Sequence, residues 1–122
     1  MKRSVISSNG RVIEAAAHRF KVLGHPQRLQ ILQMLETGPK TVGEFVAALR
    51  ANQPNVSRHL QTLFEAGLVA RLRKGNTVAY SVTDPVVFRM CELVCNNVVK
   101  RARAEMEEFM IAGSRQLSKG SR

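Results

Sequence analysis

The sequence predicts a mainly α-helical fold that carries a single β-hairpin. Apolar residues make up 44% of the 122 residues but aromatic residues only 5%, so the core must consist of aliphatic side chains packed at helical spacing. Helical spacing of apolar residues changes to strict alternation only near residues 68–82. A chain of this length holds one compact domain.

The first two helices are predicted from their start and stop signals. Residues 1–9 contain few apolar groups and form a flexible basic N-terminal arm, and a helix follows over about 11–22. Pro26 opens the second helix, since the N–H that proline lacks would have no partner in the first turn. This helix ends near Gly38, and its apolar stripe is Leu29, Leu32 and Leu35.

Two short helices follow in quick succession. Thr41 and Glu44 form a capping-box pattern at the start of the third helix. Asn52 caps the fourth helix, Pro54 opens it and Gly67 ends it. Two helices joined by so few residues predict a helix-turn-helix.

Alternating residues then predict a β-hairpin, the wing of a winged helix-turn-helix. Gly75-Asn76 is a two-residue turn signal. On the first strand one set of side chains points one way (Leu68, Ala70, Leu72) and the other set points the other way (Val69, Arg71, Arg73). Three residues of the return strand are predicted to point inward: Val78, Tyr80 and Val82. The outer face and the tip would then hold Arg71, Arg73 and Lys74.

A long final helix completes the predicted five-helix domain over residues 10–112. Asp84-Pro85 caps this helix, and residues 113–122 are predicted to be a basic disordered tail. Its apolar stripe is Phe88, Cys91, Cys95, Val98, Ala102, Met106 and Phe109. A small domain has too little surface to cover such a stripe, so we expect a homodimer in which the stripe is the seam.

The positive net charge of the chain indicates an anionic binding partner. The net charge is +10, and the positive charge is concentrated in the two ends of the chain and in residues 68–83, which suits a phosphate backbone or an anionic membrane. A membrane-surface protein would need a basic amphipathic helix with aromatic anchors, which the sequence lacks. No apolar run long enough to span a bilayer and no signal peptide are evident, so we expect a cytoplasmic protein.

The fourth helix offers a face suited to a DNA groove. Helical spacing turns Val56, Leu60 and Leu63 inward and turns the other side outward, with Pro54, Asn55, Arg58, Gln61 and Thr62. Amide side chains pair with base edges, Ser57 can bind a phosphate, and Arg58 suits either role. An ordinary solvated face is the alternative for an isolated helix. The basic wing beside it favours DNA binding over a winged-helix module that binds only protein.

Three segments, 23–32, 53–60 and 65–69, make the chain resemble the ArsR family of winged-helix repressors over about residues 11–112. The resemblance implies a homodimer, formed by the first and last helices, that binds double-stranded operator DNA and leaves it when an inducer binds. The residues that it places at the DNA are Gln53, Asn55, Ser57, Arg58 and His59. To these we add Gln61, Arg71, Arg73 and Lys74. His59 is as consistent with a packing histidine that reaches a phosphate as with a base reader.

The signal that this protein would sense is less well defined. Many metal sensors of the family carry Cys-Val-Cys where this chain has Thr41-Val42-Gly43, and others bind zinc through Asp and His ligands on the last helix, where no histidine follows Tyr80. Neither of these two metal sites is therefore predicted, and no cofactor is expected. Cys91 and Cys95 are either small packing residues at the dimer seam or a soft-metal or thiol-reactive sensor, since a dimer would bring four sulfurs near one seam. Ser57 and His59 do not suit a catalytic nucleophile and its base, because side chains two positions apart on a helix diverge and no orienting carboxylate is evident. We therefore predict no enzyme activity.

Overall fold

The computed structural model describes residues 9–120, and their side chains as far as residue 116. The predicted basic arm therefore lies outside the described residues except for Asn9, as does the end of the predicted tail. The elements in chain order are α1 (Gly10–Leu23), α2 (Pro26–Met34), a 3-10 turn (Leu35–Thr37), β1 (Lys40–Thr41), α3 (Val42–Leu49), α4 (Gln53–Glu65), β2 (Val69–Lys74), β3 (Thr77–Val82) and α5 (Val86–Gly120). The predicted architecture of five helices with a β-hairpin is confirmed.

The chain divides into two units, of which the first ends at Phe88 and the second begins at Arg89. In the first unit, α4 packs against α2, α3 and β2. The inward stripe predicted for α4 is confirmed, because its three members are fully buried: Val56, Leu60 and Leu63. The other fully buried large side chains are Ile31, Leu32, Phe45 and Val69. The core of the first unit is therefore built around α4.

Local capping hydrogen bonds define where α3 and α4 begin. The Thr41 hydroxyl accepts from the backbone N–H of Glu44, and the Glu44 carboxylate accepts from the backbone N–H of Thr41. The Asn52 side chain accepts from the backbone N–H of Asn55 at 2.9 Å. Gly67 has φ 75°, a left-handed conformation that lets the chain leave α4 and enter β2. The predicted caps of both helices are confirmed.

The sheet has three antiparallel strands in the order β1-β3-β2, so β3 is central. Lys74 pairs with Thr77 across the two-residue Gly75-Asn76 turn, as predicted, and Gly75 has φ 61°. The sequence did not predict β1, whose two residues pair with Ala79 and Tyr80. Two residues are too few for an alternating pattern, so this strand is defined only by its long-range pairing.

The predicted faces of the wing are wrong for β2. Paired residues of an antiparallel ladder point to the same side, and the register pairs Val69 with Val82 and Arg71 with Tyr80. Val69 and Tyr80 are buried, whereas Leu72 on the opposite face is 51% exposed. Arg71 and Arg73 therefore share the core-facing side of the strand, and their side chains remain exposed because the hairpin extends beyond the core. Alternation alone cannot tell which of two faces is buried.

The predicted stripe of α2 is partly wrong. Leu32 and Leu35 are buried as predicted, but Leu29 is exposed and Ile31 takes its place in the core. A three-residue spacing drifts by about 60° per step around a helix of 3.6 residues per turn. Leu29 therefore lies well outside the sector that Ile31, Leu32 and Leu35 share.

Helix α5 continues beyond Ala112, where the sequence predicts its end, and reaches Gly120. Gly113 lies inside the helix and is not one of the glycines with positive φ. A single glycine costs a helix about 1 kcal/mol and does not have to end it. Despite this length, none of the helices in the described part of the chain is both long and apolar enough to cross a membrane.

Candidate nucleic-acid interface

The exposed face of helix α4 is polar and begins in the first turn of the helix. Gln53, Ser57 and Arg58 are exposed, and Asn55 is half-buried. Arg58 Nη2 donates to Asn55 Oδ1 at 3.0 Å, which orients both side chains one turn apart. Amide, hydroxyl and guanidinium groups on one exposed helix face are the groups that read base edges and bind phosphates.

Gln61 differs from the other predicted contact residues because both ends of its amide are engaged. Gln61 Nε2 donates to Glu65 Oε1 at 2.9 Å, and Gln61 Oε1 accepts from Arg71 Nη1 at 3.4 Å. Its place is also one turn further from the start of the helix than Ser57. Gln61 is therefore set up to position Arg71, and its use as a base reader would require it to give up these partners.

Arg71 connects the wing to α4. Its guanidinium carbon lies 3.8 Å from the centroid of the Phe64 ring, and the same guanidinium donates to Gln61. An exposed cation–π contact of this kind contributes about 0.5–1 kcal/mol. Arg73 and Lys74 follow on the same strand and are exposed. The bond from Arg71 to Gln61 thus joins the basic wing and the polar face of α4 into one continuous surface within the first unit.

The His59 side chain extends from α4 to Arg28 of α2 and does not project from the polar face. Its Nδ1 accepts from Arg28 Nε at 3.1 Å, and Arg28 Nη1 also donates to the carbonyl of Val22 at 3.1 Å. The His59 ring centroid lies 4.4 Å from that of His25, whose own Nδ1 caps α2. An accepting Nδ1 requires the tautomer that carries its proton on Nε2. This arrangement favours the packing interpretation of His59 over that of a base reader.

Acidification should weaken the fold through His59. Burial, and then the charges of His25, Arg28 and Arg58, lower the pKa of His59 from its ordinary 6.5. The unfolded chain then binds this proton at a higher pH than the folded chain, so the free energy of unfolding falls as the pH drops below about 6.5 and stops falling below the lowered pKa. Urea unfolding between neutral and mildly acid pH measures this loss.

The control for this prediction is His59→Asn, whose Oδ1 replaces the accepting Nδ1 and does not titrate. The pH dependence of unfolding should be flatter in this variant than in the parent protein. Parent and His59→Asn proteins with the same pH dependence would contradict the role assigned to His59.

Two residues of this region were missed by sequence reasoning. Arg28 contacts His59 across 31 positions, and Phe64 supports Arg71 from the adjoining element. Neither contact leaves a local pattern, since each depends on how α2 and β2 lie against α4. An arginine in the first turn of a helix and an aromatic residue on the flank of another are ordinary features of a sequence.

The residues predicted for the dimer seam lie on α5. Phe88 and Cys91 are half-buried, whereas Cys95, Val98 and Ala102 are exposed. Neither cysteine is in a disulfide. Within residues 9–120 no group of three or more His, Cys, Asp or Glu side chains is placed to hold a metal ion. The two interpretations of Cys91 and Cys95, packing and sensing, stay predictions.

Comparison with known proteins identifies the family to which the chain is similar. The model of the ArsR family of bacterial regulatory proteins matches residues 25–71, which span α2 to β2. A probable mercury resistance operon repressor of Streptomyces lividans is 38% identical over 81 residues, which cover 66% of this chain and 62% of that protein. An HTH-type transcriptional regulator of Mycobacterium tuberculosis H37Rv is 32% identical over 80% of this chain and 90% of its own length.

A solved structure agrees with these relatives. The homodimeric winged helix-turn-helix DNA-binding domain of a possible ArsR-family regulator from Mycobacterium bovis has a TM-score of 0.67 and 30% identity to this chain, and the match covers 83% of this chain and 90% of that domain. The matched region includes the polar face of α4 and the basic wing. The chain belongs to the ArsR family of winged helix-turn-helix proteins and is a DNA-binding transcriptional regulator rather than an enzyme.

Proposed function

We propose that this protein is a homodimeric repressor that binds operator DNA through α4 and the wing and leaves it when an inducer binds. The observation that carries the proposal is the continuous surface in which Arg71 of the wing stacks on Phe64 and bonds to Gln61 of α4. Cations beside a helix in the major groove bind the flanking phosphates, and these contacts hold the Arg71 cation beside α4. The protein would act in the cytoplasm, where the operator is.

Within this surface the roles divide by position. Gln53 and Ser57 are exposed in the first two turns of α4, where a recognition helix meets base edges. Arg58 and Asn55 form a bonded pair that suits guanine or adenine edges. Arg71, Arg73 and Lys74 would bind phosphates, and His59 would present its Nε2–H to a phosphate at most. The polar face reads sequence and the wing supplies affinity.

The repressor and dimer parts of the proposal draw support from the relatives. The Streptomyces lividans relative is a probable operon repressor, and the Mycobacterium bovis domain is homodimeric. In this chain, α5 carries the exposed apolar side chains of Val98, Met106 and Phe109 on one helix face, which a second copy would cover. A two-fold dimer would set two α4 helices about one DNA turn apart.

Operator binding tests the proposal. The protein first selects its operator from a randomised duplex pool, and gel shifts then compare the selected and a scrambled duplex. Arg58→Ala should weaken operator binding by roughly 1–3 kcal/mol and scrambled binding much less. Lys74→Ala should weaken both duplexes alike and reduce the salt dependence, because a phosphate contact carries no sequence information.

The outcomes separate the proposal from its alternative, a winged-helix module that binds only protein. Such a module would select no sequence from the pool and would bind scrambled DNA as well as any other. Equal losses on both duplexes for Arg58→Ala would remove this residue from the base readers. Lys40→Ala serves as the charge control, since Lys40 Nζ donates to the Thr37 hydroxyl and to the carbonyl of Gly38.

A further inference from the structure

Arg50 has an unusual backbone conformation. It ends α3 in the left-handed region, with φ 50° and ψ 38°. Within the described part of the chain it is the only non-glycine residue with positive φ. Left-handed backbone positions normally hold glycine or asparagine, because other side chains are strained there. Glycine would make the same turn into α4 without strain, so the arginine is not there for the turn itself.

The surroundings of Arg50 leave its charge unopposed. Its side chain is exposed, and among residues 9–116 no hydrogen bond or ion pair engages its guanidinium. The sequence from Phe45 to Phe64 contains no acidic residue. Asn52, which caps α4, lies two positions further on, and the exposed Gln53 follows it directly. The turn therefore places a cation beside the end of α4 that the proposed function directs towards DNA.

We infer that Arg50 is a further DNA contact, which binds a backbone phosphate beside the first turn of α4. This inference rests on the proposed function of α4. Strained residues persist where the surrounding structure holds them and where function uses the side chain. Two helices anchored by the Thr41–Glu44 box and the Asn52 cap hold this turn. The guanidinium would release a counterion on binding and would not discriminate between sequences.

Two variants separate the side chain from the strain. Arg50→Gly removes the cation and the strain together, so its Tm should rise by roughly 2–5 °C while DNA binding weakens. Arg50→Lys keeps a cation at the same turn and should bind DNA almost as the parent does. Arg19→Ala, which removes one exposed cation from α1, controls for the net charge.

Fluorescence anisotropy on a duplex of about 40 base pairs, at several salt concentrations, is the measurement. Each phosphate contact contributes about 0.9 to the slope of log K against log salt, so losing one from each protomer should reduce this slope by about 1.8. The same loss corresponds to about tenfold weaker binding per protomer at 0.1 M salt. The selected operator and a scrambled duplex should show the same reduction.

Arg50→Gly with an unchanged slope would overturn the inference, as would a slope that falls equally in Arg19→Ala or in Arg50→Lys. A lower Tm for Arg50→Gly would overturn the argument from strain. A parent protein that binds no duplex would instead end the proposed function, so the two failures are distinguishable.

Discussion

A Val98→Glu variant is expected to sediment as a monomer at micromolar concentration, where the parent protein sediments as a dimer. Val98 is 60% exposed on α5, in line with Phe109, which is 73% exposed. Large apolar side chains left in water along one helix face mark a surface that a partner covers. A two-fold interface would hold the new carboxylate twice, and two unpaired charges buried together cost several kcal/mol. We expect dimer dissociation to be easier by at least about a hundredfold.

The loss of the dimer in Val98→Glu should also weaken DNA binding. Linking two half-site binders raises their joint affinity by about 10²–10⁴, and a monomer loses this gain. Asn96→Glu is the matched control, since it adds the same charge to an exposed position on the far side of α5 from Val98. Asn96→Glu should remain dimeric. Sedimentation velocity of both variants decides the matter, and a dimeric Val98→Glu protein would show that the seam lies elsewhere.

Local chemistry explains which parts of the fold the sequence could predict. The Thr41–Glu44 box, the Asn52 cap and the Gly75-Asn76 turn each involve residues at most three positions apart, so their signals lie in the sequence itself. The inward face of α4 was predictable too, because it follows one uninterrupted helical period. Long-range packing is different. Neither β1 nor the core-facing side of Arg71 can be known before the strand register is known.

In the candidate site, too, local patterns were predictable from the sequence and long-range contacts were not. Helical period alone turned Arg58 outward and Leu60 inward, and both orientations are confirmed. The bond from Arg28 to His59 and the stacking of Arg71 on Phe64 decide which side chains are held and which are available, and both join separate elements. The sequence therefore predicted the surface, and packing shows which of its side chains are held by neighbouring elements.

Phe45→Ala is expected to be among the most damaging single changes to the first unit. Phe45 is fully buried in α3, which packs against both α2 and α4. Removing a buried phenyl ring costs about 3–5 kcal/mol, because the lost apolar contact adds to the cavity that remains. The whole fold has only about 5–15 kcal/mol of stability, so a large part of it would be lost. Urea unfolding followed by circular dichroism measures the change.

Leu72→Ala is the control for the Phe45→Ala variant. Leu72→Ala removes an apolar side chain of similar type from the exposed face of β2 and should change the free energy of unfolding by less than about 0.5 kcal/mol. All variants are compared at one protein concentration, since a dimer's apparent stability depends on it. Because Phe45 fixes α3 against α4, its loss should weaken DNA binding as the folded fraction falls. A Phe45→Ala protein as stable as Leu72→Ala would mean that Phe45 does not anchor α3 against α4.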